Sequence, residues 1–236
     1  MADFVAERLG PATQSNLLII TAIVAALLAP PASFLLCFYS HKLIKIQEQL
    51  HALAIADPLT NLLNRRAFAN VYEREAARFK RTGQRMSLLL LDIDHFKHVN
   101  AEHGHSGGDV ALKAVAETLN EVVRYGTDDV ARWGGEEFAI VLSNTGRRSG
   151  IRAAARFRQA IEDLTIRFGD EEITLTVSIG VIECHKTECL EDAIERADRC
   201  LREAKRRGRN KVVAFPAPVE DMDVAPAEHT ETVGAA

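Results

Sequence analysis

The chain has 236 residues, with 29 Lys and Arg against 33 Asp and Glu, a formal net charge of -4 and 47% hydrophobic residues. That length allows one domain of ordinary size plus extensions. The balanced charge excludes the basic excess of a nucleic-acid binder, so no nucleic-acid partner is expected. Cys37, Cys184, Cys189 and Cys200 show no CxxC spacing, which argues against a disulfide framework or a structural zinc site.

From Leu17 to Tyr39 no residue is charged. Built as a helix, such a run reaches across a bilayer core of ~30 Å. The segment 1–16 contains Asp3, Glu7 and Arg8 rather than a basic signal-peptide start. Lys42 and Lys45 follow the run, and the lysine side of a span normally stays cytoplasmic. These features predict an extracytoplasmic segment 1–16, a transmembrane or membrane-embedded segment 17–39 kinked at Pro30-Pro31, and an inner-membrane, single-pass protein with its bulk in the cytoplasm. The bilayer, and a membrane protein partner, are the expected companions. Leu43, Ile46, Leu50 and Leu53 then recur at coiled-coil spacing, predicting a helical dimerisation stalk over 40–56 that Asp57-Pro58 ends.

Further along, the patterning predicts a helix over 66–81 and a buried strand over 86–93 with Asp92 and Asp94 at its carboxyl end. A short helix over 95–102, a glycine loop at 104–108 and a helix over 109–123 come next. Strands over 129–133 and 137–142 form a hairpin at Gly134-Gly135, where glycine supplies turn dihedrals barred to other residues and lets a ligand approach the backbone. A helix over 147–167, a strand over 173–182, a helix over 190–207 and a strand over 211–215 complete the order. The Pro-, Ala- and acid-rich tail 216–236 reads as disordered. The order implies an α/β sandwich around a central mixed sheet.

Two acidic stretches carry the chemistry. Asp92 ends a buried strand, where α/β folds tend to place ligands, and Glu136-Glu137 follow the glycine pair. If the strands are neighbours, Asp92 and Glu136 converge, and close carboxylates call for a cation. Oxygen ligands of this kind suit Mg²⁺ held together with substrate phosphates. Taken alone, each stretch reads equally well as a solvated turn. The glycine loop fits neither a P-loop nor a dinucleotide fingerprint. The cluster Lys205, Arg206, Arg207 and Arg209 fits a solvated helix end as readily as a phosphate cradle.

Taken together, the motifs resemble those of the GGDEF-domain diguanylate cyclases. Gly134-Gly135-Glu136-Glu137-Phe138 is similar to the family signature in its GGEEF form. Asp57 to Arg66 resembles DxLTGLxNRR, with Asn61 where glycine is usual. Asp92-Ile93-Asp94-His95-Phe96-Lys97 with Asn100 resembles DxDxFKxxN. Gly104-His105 and Gly108-Asp109 resemble GHxxGD, Ser178-Ile179-Gly180 the SxG strand, and Asp198 to Asn210 the closing DxALYxAKxxGRN. The likeness runs from Asp57 to about Val213 and implies a GGDEF nucleotidyl-cyclase-like sandwich domain over 57–215.

The resemblance implies the condensation of two GTP into cyclic di-GMP with release of two pyrophosphates, at a homodimer interface, with Mg²⁺ or Mn²⁺. It assigns metal binding to Asp92, the carbonyl of Ile93 and Glu136. Substrate contacts fall to Asn100, His105, Asp109, Phe96, Lys97, Arg132, Lys205 and Arg209, and catalysis to Glu136, Glu137 and Lys205. A family product-inhibition site, RxxD, is degenerate: Asp128 is present, but Tyr125 stands at the arginine position with Arg124 one residue early. Ala101 replaces a usual aspartate and Arg202 a usual tyrosine. The alternative is a catalytically inactive membrane signalling protein of the same fold that binds GTP or a protein partner.

Overall fold

A computed structural model of the chain describes residues 55–215 throughout and, before them, Asn16, Ile19, Ile23, Ala26, Leu27, Pro30, Pro31 and residues 33–42. Two compact units divide at 54/55, and each is described by itself.

In the first unit the expected membrane anchor is corrected. Among the described residues no helix is long and apolar enough to cross a membrane. The transmembrane helix, the bilayer and membrane-partner expectations and the inner-membrane location are therefore withdrawn. The coiled-coil stalk over 40–56 is corrected with them, since none is present among the described residues. Of that stretch, 43–54 lies outside the described residues. Ala56 is extended rather than helical, because it bridges antiparallel to Leu63. The tail 216–236 and most of 1–16 also lie outside the described residues.

The second unit is built on a six-stranded mixed sheet in the order β1-β3-β4-β2-β7-β8. The strands are β1 (Leu63–Asn64), β2 (Ser87–Ile93), β3 (Asp128–Gly134), β4 (Glu137–Leu142), β7 (Val177–Glu183) and β8 (Val212–Ala214). A separate hairpin is formed by β5 (Ile166–Phe168) and β6 (Glu171–Ile173). The helices are α1 (Arg65–Thr82), α2 (Phe96–Val122), α3 (Arg147–Glu162) and α4 (Leu190–Arg206).

Strand β2 is buried along its whole length and antiparallel to both β4 and β7. This explains its continuous apolar run. Its side chains still alternate. Leu89, Leu91 and Ile93 join the core under α2 and α3, while Leu88 and Leu90 join the core under α1 and α4. Asp92 thus belongs by parity to the α1/α4 face. Helix α1 starts at Asn64, whose side chain accepts from the Ala67 N–H at 2.9 Å, and stops at left-handed Gly83. Gly180 lets α4 sit on β7: a Cβ there would collide with Ala197 O and lie 2.6 Å from Leu201 N.

Four local expectations change. The glycine stretch 104–108 is not a loop. Gly104 alone is non-helical (φ 69°, ψ 175°), and α2 continues through the rest with a kink. Gly107 and Gly108 are helical, and a Cβ at either would strike His103 or Asn100, which calls for glycine there. The helix expected to reach 167 stops at Glu162. The strand expected over 173–182 is divided between β6 and β7, with the β5–β6 turn at left-handed Gly169. Finally, neither Gly134 nor Gly135 has a positive φ, so turn dihedrals are not what calls for that pair.

Candidate active site

The site lies at the end of the sheet where β2 finishes and the β3–β4 hairpin turns. Asp92 stands between Glu137 of β4 and Ser178 of β7 as direct cross-strand partners. The Ile93 N–H donates to Glu136 O at 3.3 Å, which pins the turn carrying Glu136 to the end of β2. The Ile93 side chain is buried in the core, so its backbone is what the site can use. From α4, Lys205 reaches in, with Nζ 2.8 Å from Asp92 Oδ1.

Charge is crowded here. Burial pushes the Asp92 carboxyl above its usual range; the hydrogen bond and charge of Lys205 oppose this, while Glu136 and Asp94 add to it. Burial likewise pushes Glu137 upward, and Asp92 adds to the rise. Like charges forced together in a half-buried corner raise one another's pKa.

The glycine turn is held from the side. A bulge between Arg132 and Gly134 leaves Trp133 the extra residue. It packs edge-on to Phe68 with the Arg65 guanidinium 4.3 Å from its ring. Arg132 donates to Gly135 O from Nη2 (2.8 Å) and Nε (3.1 Å), and from Nη1 to Asp57 Oδ1 (3.1 Å). Asp57 also accepts from the Thr60 N–H and hydroxyl at 2.9 and 2.8 Å. Burial opposes ionisation of Asp57, but Thr60 and then Arg132 outweigh it and hold the carboxyl below its usual range. Arg132 therefore braces the turn here, a role its expected phosphate contact did not include. Glycine at 134 avoids a Cβ 3.1 Å from Glu137 Oε2, and Gly135 faces open space. Asn61 has φ 57°. This explains why glycine is usual there and why asparagine, tolerant of the left-handed region, can replace it.

A second group gathers on α2. The side chains of Asn100 and Phe96 close on Gly108, next to exposed Asp109. Phe96 is mostly core, at 8% exposure, and Lys97 and His105 are exposed. Arg209 lies beyond α4 in a left-handed turn (φ 59°). The acids and Lys205 thus form one cluster at the α1/α4 face, and Asn100, Phe96 and Asp109 another on α2.

Arg124 and Asp128 are brought together, but upon each other. Arg124 grips Asp128 with Nε at 2.9 Å and Nη2 at 2.6 Å. Its Nη2 also donates to Ser143 O and Thr145 Oγ1, both at 2.8 Å. Tyr125 is fully exposed.

Two residues were missed as site elements. Asp57 was read only as part of a motif, although its partner Arg132 is 75 positions away. Asp94, 4% exposed, accepts from Ser178 Oγ (2.7 Å), Thr176 Oγ1 (2.9 Å) and the Asn210 N–H (2.9 Å). A charged residue in an otherwise apolar strand end was the available signal.

A family model described as diguanylate cyclase, GGDEF domain, matches residues 54–211. The chain belongs to this family. Diguanylate cyclase DgcP of Pseudomonas aeruginosa is 39% identical over 175 residues, 74% of this chain and 25% of that protein. Diguanylate cyclase DosC of Escherichia coli K12 is 40% identical over 162 residues, 68% of this chain and 35% of that protein. The chain therefore matches only a quarter to a third of these relatives' length. Among solved structures, the GGDEF domain of DgcB from Caulobacter crescentus, in complex with c-di-GMP, superposes with a TM-score of 0.65 at 35% identity, covering 68% of this chain and 95% of that one. The active GGEEF domain of a Vibrio cholerae diguanylate cyclase gives 0.61 at 32% identity, covering 66% and 99%.

The family works with a divalent metal ion, and the donors present fit one. Asp92 and Glu137 are paired acids in a half-buried corner, and a cation, the Lys205 ammonium, already rests on Asp92. Among the described residues no group of three or more His, Cys, Asp or Glu side chains is arranged around one ion. A coordination shell here would need carbonyl and phosphate oxygens as well, as Mg²⁺ commonly has.

Proposed function

We propose that this chain is a diguanylate cyclase that condenses two GTP molecules into cyclic di-GMP and two pyrophosphates. The observation that carries this is the cross-strand pair Asp92–Glu137, with Lys205 on Asp92, at the sheet end of a chain belonging to the family. Each chain binds one GTP. The 3′-oxygen of each nucleotide forms a bond to the α-phosphorus of the other, the bond to pyrophosphate breaks, and the hydroxyl proton leaves to a base. Two such half-sites must face each other, so the active species is a homodimer, in which pairing replaces a dilute encounter with a local one.

Each residue has a task in this reading. Asp109 accepts from the N1–H and amino group of guanine, which adenine cannot match, and Asn100 and His105 line the same region. Lys205 and Arg209 neutralise phosphate oxygens, while Lys97 and the Phe96 backbone shape the loop below them. Asp92, Glu136 and the Ile93 carbonyl would hold Mg²⁺ or Mn²⁺. When bound, the ion polarises the phosphoryl oxygens and offsets developing negative charge. Glu137, raised by burial and by Asp92, can accept the hydroxyl proton. Arg132 holds the turn from which both project.

The test is incubation of purified protein with GTP and Mg²⁺, and separately with ATP, followed by mass identification of products. Cyclic di-GMP from GTP alone, lost in Asp92→Ala and Glu136→Ala, is the expected result. GTP binding without product would instead indicate a non-catalytic member.

Product control follows from Arg124. Its Nε and Nη2 are engaged by Asp128, Ser143 and Thr145, which holds the guanidinium on Asp128. Cyclic di-GMP should therefore bind weakly at this place. Submicromolar binding in calorimetry, abolished by Asp128→Ala, would overturn that expectation.

A further inference from the structure

After α4 the chain passes through three consecutive residues with positive φ: Gly208 (103°), Arg209 (59°) and Asn210 (47°). Arg209 carries a side chain that disfavours this region, whereas Asn210 tolerates it, so at Arg209 the turn needs outside support. Within the turn, the Gly208 N–H donates to Lys205 O at 3.3 Å and the Arg209 N–H to Ala204 O at 3.1 Å. The Asn210 side chain is clamped to α3: its Nδ2 donates to Glu162 Oε1 at 2.6 Å, and its Oδ1 accepts from Arg158 Nη1 at 2.7 Å. The Asn210 backbone N–H is taken by Asp94 Oδ2 at 2.9 Å.

Asp94 is two residues beyond Asp92 and buried. Its bonds from Thr176 and Ser178 duplicate a connection that the β2–β7 ladder already makes. The bond from Asn210 does something else, because it reaches a turn outside that ladder. A buried carboxylate with charge-assisted hydrogen bonds is a stiff connector. We infer that Asp94 is a positioning residue: by capturing the Asn210 amide it sets the turn bearing Arg209, and the end of α4 bearing Lys205, in register with the acids on β2. This rests on the reading of Lys205 and Arg209 as phosphate ligands. It assigns the second acid of the Asp92-Ile93-Asp94 stretch to geometry rather than to contact with the metal or the substrate.

The experiment compares the KM for GTP, the kcat, and the affinity for 3′-deoxy-GTP with Mg²⁺, a nucleotide unable to cyclise, in full-length wild type and variants. Asp94→Ala should weaken 3′-deoxy-GTP binding and raise KM by about tenfold, with a smaller change in kcat. Asp94→Asn should recover to within about threefold. Its amide oxygen still accepts from Asn210, and the Ser178 hydroxyl can turn to accept from its NH₂. Ser178→Ala should lower Tm yet leave affinity near wild type. If Asp94→Ala does not fold, Asn210→Val replaces it: a β-branched residue opposes φ 47° while Asp94 stays in place, and the same loss of affinity is expected. Unchanged affinity in Asp94→Ala or Asn210→Val overturns the inference, as does an equal loss in Ser178→Ala. Wild type that binds 3′-deoxy-GTP but makes no cyclic di-GMP removes the cyclase reading and leaves positioning to be judged from binding. Wild type that binds no nucleotide removes both.

Discussion

Glu137 and Asp92 face each other across the β2–β4 ladder, and both carboxyls are raised, chiefly by burial. A carboxyl whose folded pKa exceeds its unfolded value binds more protons in the folded state. Stability is therefore lost as pH rises from the unfolded values of 3.8 and 4.5 through the raised ones. At neutral pH without a divalent ion, the ionised pair is a cost. Glu137→Gln should raise Tm by about 2 °C in a scan at pH 7 with chelator, while product formation collapses. Added Mg²⁺ should raise Tm more in wild type than in this variant. A lower Tm for Glu137→Gln would refute the repulsion. Asp92, Glu136 and Glu137 were legible in the sequence because motif spacing names them. Asp94 and the brace of Arg132 on Asp57 were not, since both depend on contacts between stretches 75 or more positions apart. The role assigned to Gly134 was misread for a similar reason: clearance beside Glu137, rather than dihedral freedom, is visible only once side chains are placed.

At the level of elements, α2 is the informative case. Its kink at Gly104 combines φ 69° with ψ 175°, a region essentially reserved for glycine, where other residues incur about 1–3 kcal/mol of strain. Gly104→Ala should lower stability by that amount in urea unfolding and raise the KM for GTP, because the kink aims the segment carrying Asp109. An unaltered KM would detach the kink from substrate binding. The corner where α2 ends and β3 begins makes a second prediction. Arg124→Ala leaves Asp128, with its side chain 2% exposed, buried and without its bidentate partner, and should cost about 2–3 kcal/mol by the same measurement. Helices α1 and α4 and the apolar β2 run were readable at this scale, with ends off by a residue or so, whereas α3 was extended to 167 past its end at Glu162 and α2 was divided at its glycines. The β5–β6 hairpin was not. Strands of three residues with mixed polarity give no period, and the neighbouring helix and strand patterns were extended over them.

For the whole molecule, the proposed cyclase reaction would require two active sites in one event. Adding excess Glu136→Ala chain to a fixed amount of wild type should lower product formed per wild-type chain, because mixed pairs hold one competent half-site. Steady-state rates at increasing doses of the variant provide the check, and an unaffected rate would show that one chain suffices. The layer architecture was legible from the alternation of helices and strands, whereas the membrane reading of 17–39 relied on the length of an uncharged run and the charges flanking it. Among the described residues no helix is long and apolar enough to cross a membrane.

The alternation along β2 has one more consequence. Leucines fill both layers, and a change of size in any of them is a matter of packing. A single deleted residue is a different kind of event: every side chain beyond it would exchange faces. Asp92 would be driven toward the helices that shelter Ile93, and an apolar group would stand where the carboxylate had been. Natural variation in this strand should therefore run through substitution and never through insertion or loss, because its length in residues decides on which side of the sheet the reaction can take place.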